Sequence, residues 1–433
     1  MDGGAAAAPV TMCRSKTRRN VMSENNPVAT ADQAEIEKRA LQIQQHPLVQ
    51  QARAAVREHW LQQVKPSAEG LKCFEAGFEE VMFSAAVWSL NQDPQRPRVT
   101  TITRVAHTLD GLSIPGSRYG LDNPDSVYRT IPIDGAERYL IRGKVSPRRL
   151  TENYFTLWDR EGNTVDVFNG KNLQLDADGA FTITVDSEPA NGRPNHIRSS
   201  PKAHQFYIRD VLLDWTLDTP NQLSVEKLGA PTKPAFSEDE QARLTAQFMR
   251  EFADNTVRWN AQALQRPANS IDFTIDRDTD GALRNQFYVL GHFQLRDDEA
   301  LLLTLHTAGA QYFIVPITNV WGTSNEIVHR TGSLNKAQSV ANADGTYTFV
   351  IAVRDPGIHN WVDPSDMSEG IITARWAEFP DGRPDGKVAL ESRLVKFADL
   401  ERELPADTRR VTPAQRAEQL AQRAAGYLRR VAD

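Results

Sequence analysis

The sequence predicts a mainly β protein with helices, an α+β chain built on two related antiparallel jelly-roll-like β-sandwich units. The first observation is a weak repeat: Ala177-Asp178-Gly179-Ala180-Phe181-Thr182 reappears as Ala343-Asp344-Gly345-Thr346-Tyr347-Thr348. The second is that the correspondence continues downstream, with Asn195 opposite Asn360 and Arg209 opposite Arg375 at a nearly constant offset. The third is the grammar of each copy. An Asp-Gly turn feeds an alternating strand, then a polar loop, then a second strand, as expected of two related β-units in one chain.

Residues 1–33 read as a disordered extension in which Met22 is an alternative start. Basic residues occur there without a following apolar run, so no secretory signal is read and a cytoplasmic location is expected. Residues 34–120 read as a helical region. Val56, Trp60 and Val64 fall at i, i+4 and i+8, and Phe74, Phe78, Val81 and Met82 mark another stripe. Pro47 and Pro66 break the helical run, and Asp93-Pro94-Gln95-Arg96-Pro97 closes it.

Residues 121–232 form the first β-unit, with strands expected at 128–133, 138–144, 154–158, 181–185, 206–213 and 223–227. Asp134-Gly135, Glu161-Gly162-Asn163 and Asp178-Gly179 supply the turns. A linking helix at 233–270 opens on the capping box Ser237-Glu238-Asp239-Glu240 and places Leu244, Phe248 and Phe252 on one face. The second β-unit, 271–400, has strands expected at 287–295, 301–306, 311–317, 347–353, 370–377 and 388–396. A C-terminal helix over 401–433 starts at Thr412-Pro413, with Leu420, Ala424 and Leu428 as its stripe.

The chain has 433 residues, 40% hydrophobic and 24% charged, and a formal charge of -6. That balance offers no global attraction to nucleic acid or an anionic membrane, and no apolar run approaches the ~20 residues a spanning helix needs. Two cysteines, Cys13 and Cys73, make no disulfide framework.

Three phrases bear a resemblance. Asn123-Pro124-Asp125-Ser126-Val127-Tyr128-Arg129, His329-Arg330-Thr331-Gly332-Ser333-Leu334-Asn335 and Asp355-Pro356-Gly357-Ile358-His359-Asn360-Trp361-Val362-Asp363 resemble the bacterial family known as domain of unknown function 1214. The resemblance spans Leu121 to Lys396. It implies a jelly-roll-like sandwich with helical segments and transfers no catalytic role.

The nine histidines form neither His-x-His nor His-x-x-x-His, so no cupin-like metal site and no metal are expected. Asp276-Arg277-Asp278-Thr279-Asp280-Gly281 begins like a calcium loop, but its twelfth position is Phe287 where a bidentate Glu is required. It reads as an acidic turn. Nucleotide-binding glycine motifs and a nucleophile elbow are missing from the sequence, and no cofactor is expected.

What remains is the loop after the repeated strand. His359 is read as a proton shuttle, Asp355 or Asp363 as its orienter, Trp361 as a stacking platform and Asn360 as a binding group. On the structural alternative, Asp-Pro-Gly makes a turn, Asn360 ties the loop to itself, and Trp361 caps the core. Arg209 and Arg375 read as clamps for a carboxylate or sulfate, with Tyr128, Arg129 and Tyr288 lining a mouth between the units.

These residues suggest a cofactor-independent lyase, dehydratase, isomerase or hydrolase acting on a small hydroxylated or ring-containing metabolite. The alternative is a non-catalytic carbohydrate- or ligand-binding sandwich. Partners are then a small molecule or glycan, with neither nucleic acid nor membrane. A homo-oligomer built through the terminal helices is a third expectation.

Overall fold

In this computed structural model the described residues are 26–271, the backbone of 273–275, and 286–431. Cys13, Met22, most of the expected extension and the Asp276–Gly281 turn lie outside them. Order begins earlier than residue 34. Val28 is buried with Val127, Leu150 and Leu212, and Thr30 caps helix α1 (Ala31–Ile43).

Helices α2 (Pro47–Val64), α3 (Ala68–Lys72) and α4 (Phe74–Ser89) follow. Lys65 closes α2 in the left-handed region and Pro66 prevents its continuation. The linking helix is α5 (Glu238–Leu264), opened by the Ser237/Glu240 capping box. It packs against α2 and α4. Short α6 (Leu400–Glu403) precedes the C-terminal α7 (Pro413–Leu428), which Thr412 and Gln415 box. Among the described residues no helix is long and apolar enough to cross a membrane.

The first unit contains β1 (Thr100–Thr101), β2 (His107–Leu109), β3 (Leu112–Ile114), β4 (Ser126–Pro132), β5 (Tyr139–Lys144), β6 (Glu152–Trp158), β7 (Thr164–Asn169), β8 (Ala180–Asp186), β9 (His196–Arg198), β10 (Gln205–Val211) and β11 (Gln222–Lys227). Among the described residues β2 and β3 pair only with each other; the rest make an inner sheet β1-β4-β10-β6-β7 and an outer sheet β11-β5-β8-β9. The second unit contains β12 (Phe273–Ile275), β13 (Phe287–Gln294), β14 (Glu299–His306), β15 (Tyr312–Thr318), β16 (Ser333–Asn335), β17 (Tyr347–Ile351), β18 (Trp361–Val362), β19 (Glu369–Ala377) and β20 (Ala389–Lys396). Its inner sheet runs β12-β13-β19-β15-β16 and its outer sheet β18-β17-β14-β20. Read from the other edge, that outer order is β20-β14-β17-β18, so the two units share one strand order, strand for strand.

Alternation decides what each sheet covers. Phe155, Leu157, Phe206 and Ile208 turn inward against Ile141, Phe181 and Ile183 to fill the first sandwich. Phe293, Phe313, Ile372 and Trp376 do the same against Leu301, Leu303 and Phe349 in the second. Each such side chain contributes about 1.5–3 kcal/mol on burial. The opposite faces of β4, β10, β13, β15 and β19 are mostly buried too, because the inner sheets face each other and the helices. Val211 and Leu213 of the first unit pack on Tyr312, Ile314 and Ala377 of the second. By contrast β11 alternates exposed and half-buried, as a solvated outer strand should.

The loop carrying Trp321 leaves the second sandwich for the helical layer. The Trp321 ring lies 5.2 Å from that of Trp60 and donates to the Gly70 carbonyl at 2.8 Å. The loop thus ties the helices to the second unit.

Candidate functional site

A cavity of about 610 Å³ opens where the two inner sheets and helix α5 meet. Strand register places its floor. In the first inner sheet Arg209 stands opposite Tyr128, and in the second Arg375 stands opposite Tyr288. All four side chains lie on the facing surfaces and line the cavity.

Arg375 is 7% exposed. It donates to the Tyr128 hydroxyl at 3.4 Å and to the Leu121 carbonyl, and its guanidinium lies 5.7 Å from the Tyr288 ring. Its Nε has no hydrogen-bond partner among the described residues. Burial works against its charge, but the surrounding Tyr128, Tyr288 and Tyr312 outweigh this and hold the proton more tightly than usual. Arg209, also 7% exposed, lies 4.5 Å from the Tyr207 ring and 5.6 Å from Trp158. Two cations are therefore held over aromatic faces in a poorly hydrated space.

The walls are aromatic. Tyr207 stacks on Trp158 at 4.2 Å, and Tyr119 stacks on Phe252 at 3.8 Å. Helix α5 has two working faces. Ala242, Thr245, Met249 and Ala253 are buried among the helices, whereas Leu244, Phe248 and Trp259 line the cavity and stay half-buried. The mouth holds Asp159, Arg160 and His204. Burial, with the Arg160 charge, pushes the His204 imidazole down to about 4, so it stands neutral at physiological pH. Asp122, also on the lining, takes the Ser324 hydroxyl at 3.0 Å on each oxygen.

The proposed loop chemistry lies elsewhere. None of His359, Asp355, Asp363, Asn360 or Trp361 lines the cavity; helix α7 covers their loop. Asp355 is held by Arg416 at 3.0 and 3.2 Å. The Arg416 guanidinium also lies 5.1 Å from the Trp361 ring. His359 Nε2 sits 3.3 Å from the Gln338 carbonyl; burial first, then Arg409 and Arg416, hold its imidazole below the usual value. Asp363 accepts the Ser365 amide at 2.8 Å and faces Arg330 at 3.4 Å. Neither carboxylate is bonded to His359 among the described residues.

Asn360 ties its loop to the segment that precedes β17. Its amide bonds Val340 in both directions, at 2.9 and 2.8 Å. Asn195 does the same to Gln174, at 2.8 Å each way. Trp361 donates to the Ala352 carbonyl at 2.9 Å and is buried, which removes it as an open stacking platform. Arg129 points to the interior of the first sandwich, where it pairs with Asp210 and donates to the Asn221 carbonyl at 2.7 Å. It is an internal strut, because alternation sends it to the face opposite Tyr128.

Helix α7 also differs from the expected stripe. It buries Arg416, Arg423, Gly426 and Tyr427, while Leu428 is exposed. The arginines here find partners: Arg423 donates to the Ile327 carbonyl at 2.6 Å and the Ser333 hydroxyl at 2.8 Å, and Arg430, just past the helix end, donates to the Pro124 carbonyl at 2.6 Å. Asp125 is the buried hub beneath, taking Asn335 at 2.8 Å, Trp215 at 2.7 Å and Tyr312 at 2.9 Å. The three phrases behind the family resemblance are thus joined by one helix and one aspartate.

Sequence reasoning missed Trp88, Trp158, Tyr119, Tyr207 and Gln286 of the lining. For the strand residues the available signal was alternation: Tyr207 and Trp158 share a face with Arg209 and its partner Tyr154.

No family model matches the chain, and no curated protein matches it. Its fold is similar to that of an uncharacterised protein from Burkholderia cenocepacia solved by crystallography, with a TM-score of 0.70 and 22% identity, covering 83% of this chain and 100% of that one. A likeness at this identity shows the fold alone. A protein from Vibrio parahaemolyticus overlaps at a TM-score of 0.42 and 10% identity, covering 64% of this chain and 90% of that one.

Proposed function

We propose that this protein takes a small, ring-bearing organic anion into the cavity between its two inner sheets. One observation carries the reading: Arg209 and Arg375, from opposite sheets, line the same aromatic-walled space. The volume of about 610 Å³ suits a small-molecule ligand. A carboxylate or sulfonate would take charge-assisted hydrogen bonds from the guanidinium groups, while its ring stacks among Tyr119, Phe252, Trp158 and Tyr207. The matching strand orders and Tyr–Arg pairs are read here as a duplication whose two copies each supply one cation. Membership of the domain of unknown function 1214 family belongs to the same reading, supported by the three phrases.

The geometry favours this cavity over the 355–363 loop, where Arg416 covers both Asp355 and Trp361. Acid–base turnover of the bound anion would use groups at the cavity rather than His359. The test is a thermal-shift panel of aryl carboxylates against their neutral amides, since a ligand preferring the native state raises its melting point. Acids that stabilise while the matched amides do not support the reading. Equal shifts, or shifts from neutral sugars alone, reject it.

A further inference from the structure

A carboxyl group lies behind the cavity floor that the proposed binding does not yet use. Glu152 opens β6, opposite Val211 of β10, and therefore shares the face that carries Arg209 and Tyr154. It is 0% exposed. One oxygen accepts the Gln286 side-chain amide, and Gln286 itself lines the cavity. The other oxygen, Oε2, has no hydrogen-bond partner among the described residues.

The groups around it are mixed in sign. Glu378, which follows β19, faces Glu152 and is in turn held by Lys171 and by the Tyr154 hydroxyl at 3.2 Å. Arg209 and Arg375 act on it from the two sheets, and Tyr312 feels its charge from β15. A fully buried carboxylate with one oxygen unsatisfied is costly, so the protonated form is favoured. Burial, reinforced by the Glu378 charge, pushes the Glu152 carboxyl up to about 8 against the opposing arginines. His204, at about 4, does not change charge in that range.

We infer that Glu152 is the residue that sets anion affinity in this cavity, by holding or taking up a proton as the anion enters. The inference rests on the anion-binding reading above. With Glu152 neutral, both guanidinium charges act on the ligand. With Glu152 ionised, its carboxylate competes for them and repels the incoming anion. By linkage the bound anion must favour protonation of Glu152 in return. No covalent step is involved; one proton moves from solvent to Glu152 Oε2.

The experiment uses 1-naphthalenesulfonate, whose charge does not titrate, and follows quenching of the cavity tryptophans Trp88, Trp158 and Trp259. In the wild-type protein affinity should be level up to about pH 7 and fall above about pH 8, by at most about tenfold per pH unit for one proton. Glu152→Gln keeps an acceptor for Gln286 and should bind with no such fall. Glu378→Gln removes the charge that favours protonation, so the fall should begin at lower pH. Calorimetry in two buffers near pH 8.5 should show uptake of up to about three-quarters of a proton per anion in wild type and about none in Glu152→Gln. Parallel pH profiles for wild type and Glu152→Gln would overturn the inference while leaving the binding site standing. Absence of probe binding at every pH would reject the binding site itself, and the inference with it.

Discussion

Arg375 of the second sandwich reaches across the interface to the hydroxyl of Tyr128 in the first, 3.4 Å away. Tyr128 is also the cross-strand partner of Arg209. One phenol thus sits between the two cations of the cavity, tying a residue of each unit to the same spot.

Replacing Arg375 by Met should keep the aromatic walls and remove one cation. A charge-assisted hydrogen bond is worth about 1.5–3 kcal/mol, so affinity for an aryl acid should drop at least about tenfold. The neutral amide should bind as before. Titration of both ligands, with circular dichroism to check folding, measures the effect; an equal loss for acid and amide would point to a damaged wall instead.

His359→Gln should leave aryl-acid affinity unchanged, since the imidazole faces the Gln338 carbonyl beneath helix α7. Its pH signature concerns folding. The native imidazole gains its proton less readily than the unfolded one, whose ordinary value is 6.5. This group therefore removes stability as pH falls below about 6.5, and the substitution should lessen that acid sensitivity. Denaturant melts at pH 7 and pH 5 report it. A loss of ligand binding in this variant would restore the loop as a site.

Asn195→Ala and Asn360→Ala should destabilise by similar amounts. Each asparagine satisfies a loop amide and a loop carbonyl, at Gln174 and Val340 respectively. These groups are only partly buried, so leaving one unpaired costs at most about 1–3 kcal/mol. Thermal melts of the two variants, compared with their unchanged aryl-acid affinity, separate this structural role from a binding one.

The legibility of the chain followed its periodicity. The twelve strands expected from alternation all appear, within about two residues at most ends, the margin natural to such boundaries. The short strands β1, β2, β3, β7, β9, β12, β16 and β18 were not expected, because two to six residues without a clean alternating face carry little periodic signal. Arg209, Arg375, Tyr128 and Tyr288 were legible as a repeated Arg and as aromatics near the units' starts, and the structure brings them together. Arg129 looked equivalent to Tyr128 until strand alternation turned it inward to Asp210. The 355–363 loop misled because nothing local shows that Arg416, far along the chain, lies over it. Helix α7 was expected to dock through leucines and docks through arginines, since the carbonyls and carboxylates awaiting it come from distant segments.

Glu152→Gln should change how stability depends on pH. The native carboxyl, pushed up to about 8, keeps its proton well after the unfolded chain has lost its own near 4.5. Over that window the native state binds more protons, so this group makes the wild-type protein lose stability as pH rises from about 4.5 to about 8. The loss is on the order of a few kcal/mol. The Gln variant should show a flatter decline and gain on wild type at pH 8.5 relative to pH 5. Urea melts across that range would detect it, and parallel curves would place the Glu152 proton elsewhere.

The most direct test of the central claim is a crystal structure with 4-bromobenzoate, located by the anomalous signal of bromine. The account predicts one peak between the two inner sheets, with the carboxylate turned to Arg209 and Arg375 and the ring against Tyr207 or Phe252. Bromine found only beside Trp361 and His359, or a cavity that excludes the acid at saturating concentration, would contradict it.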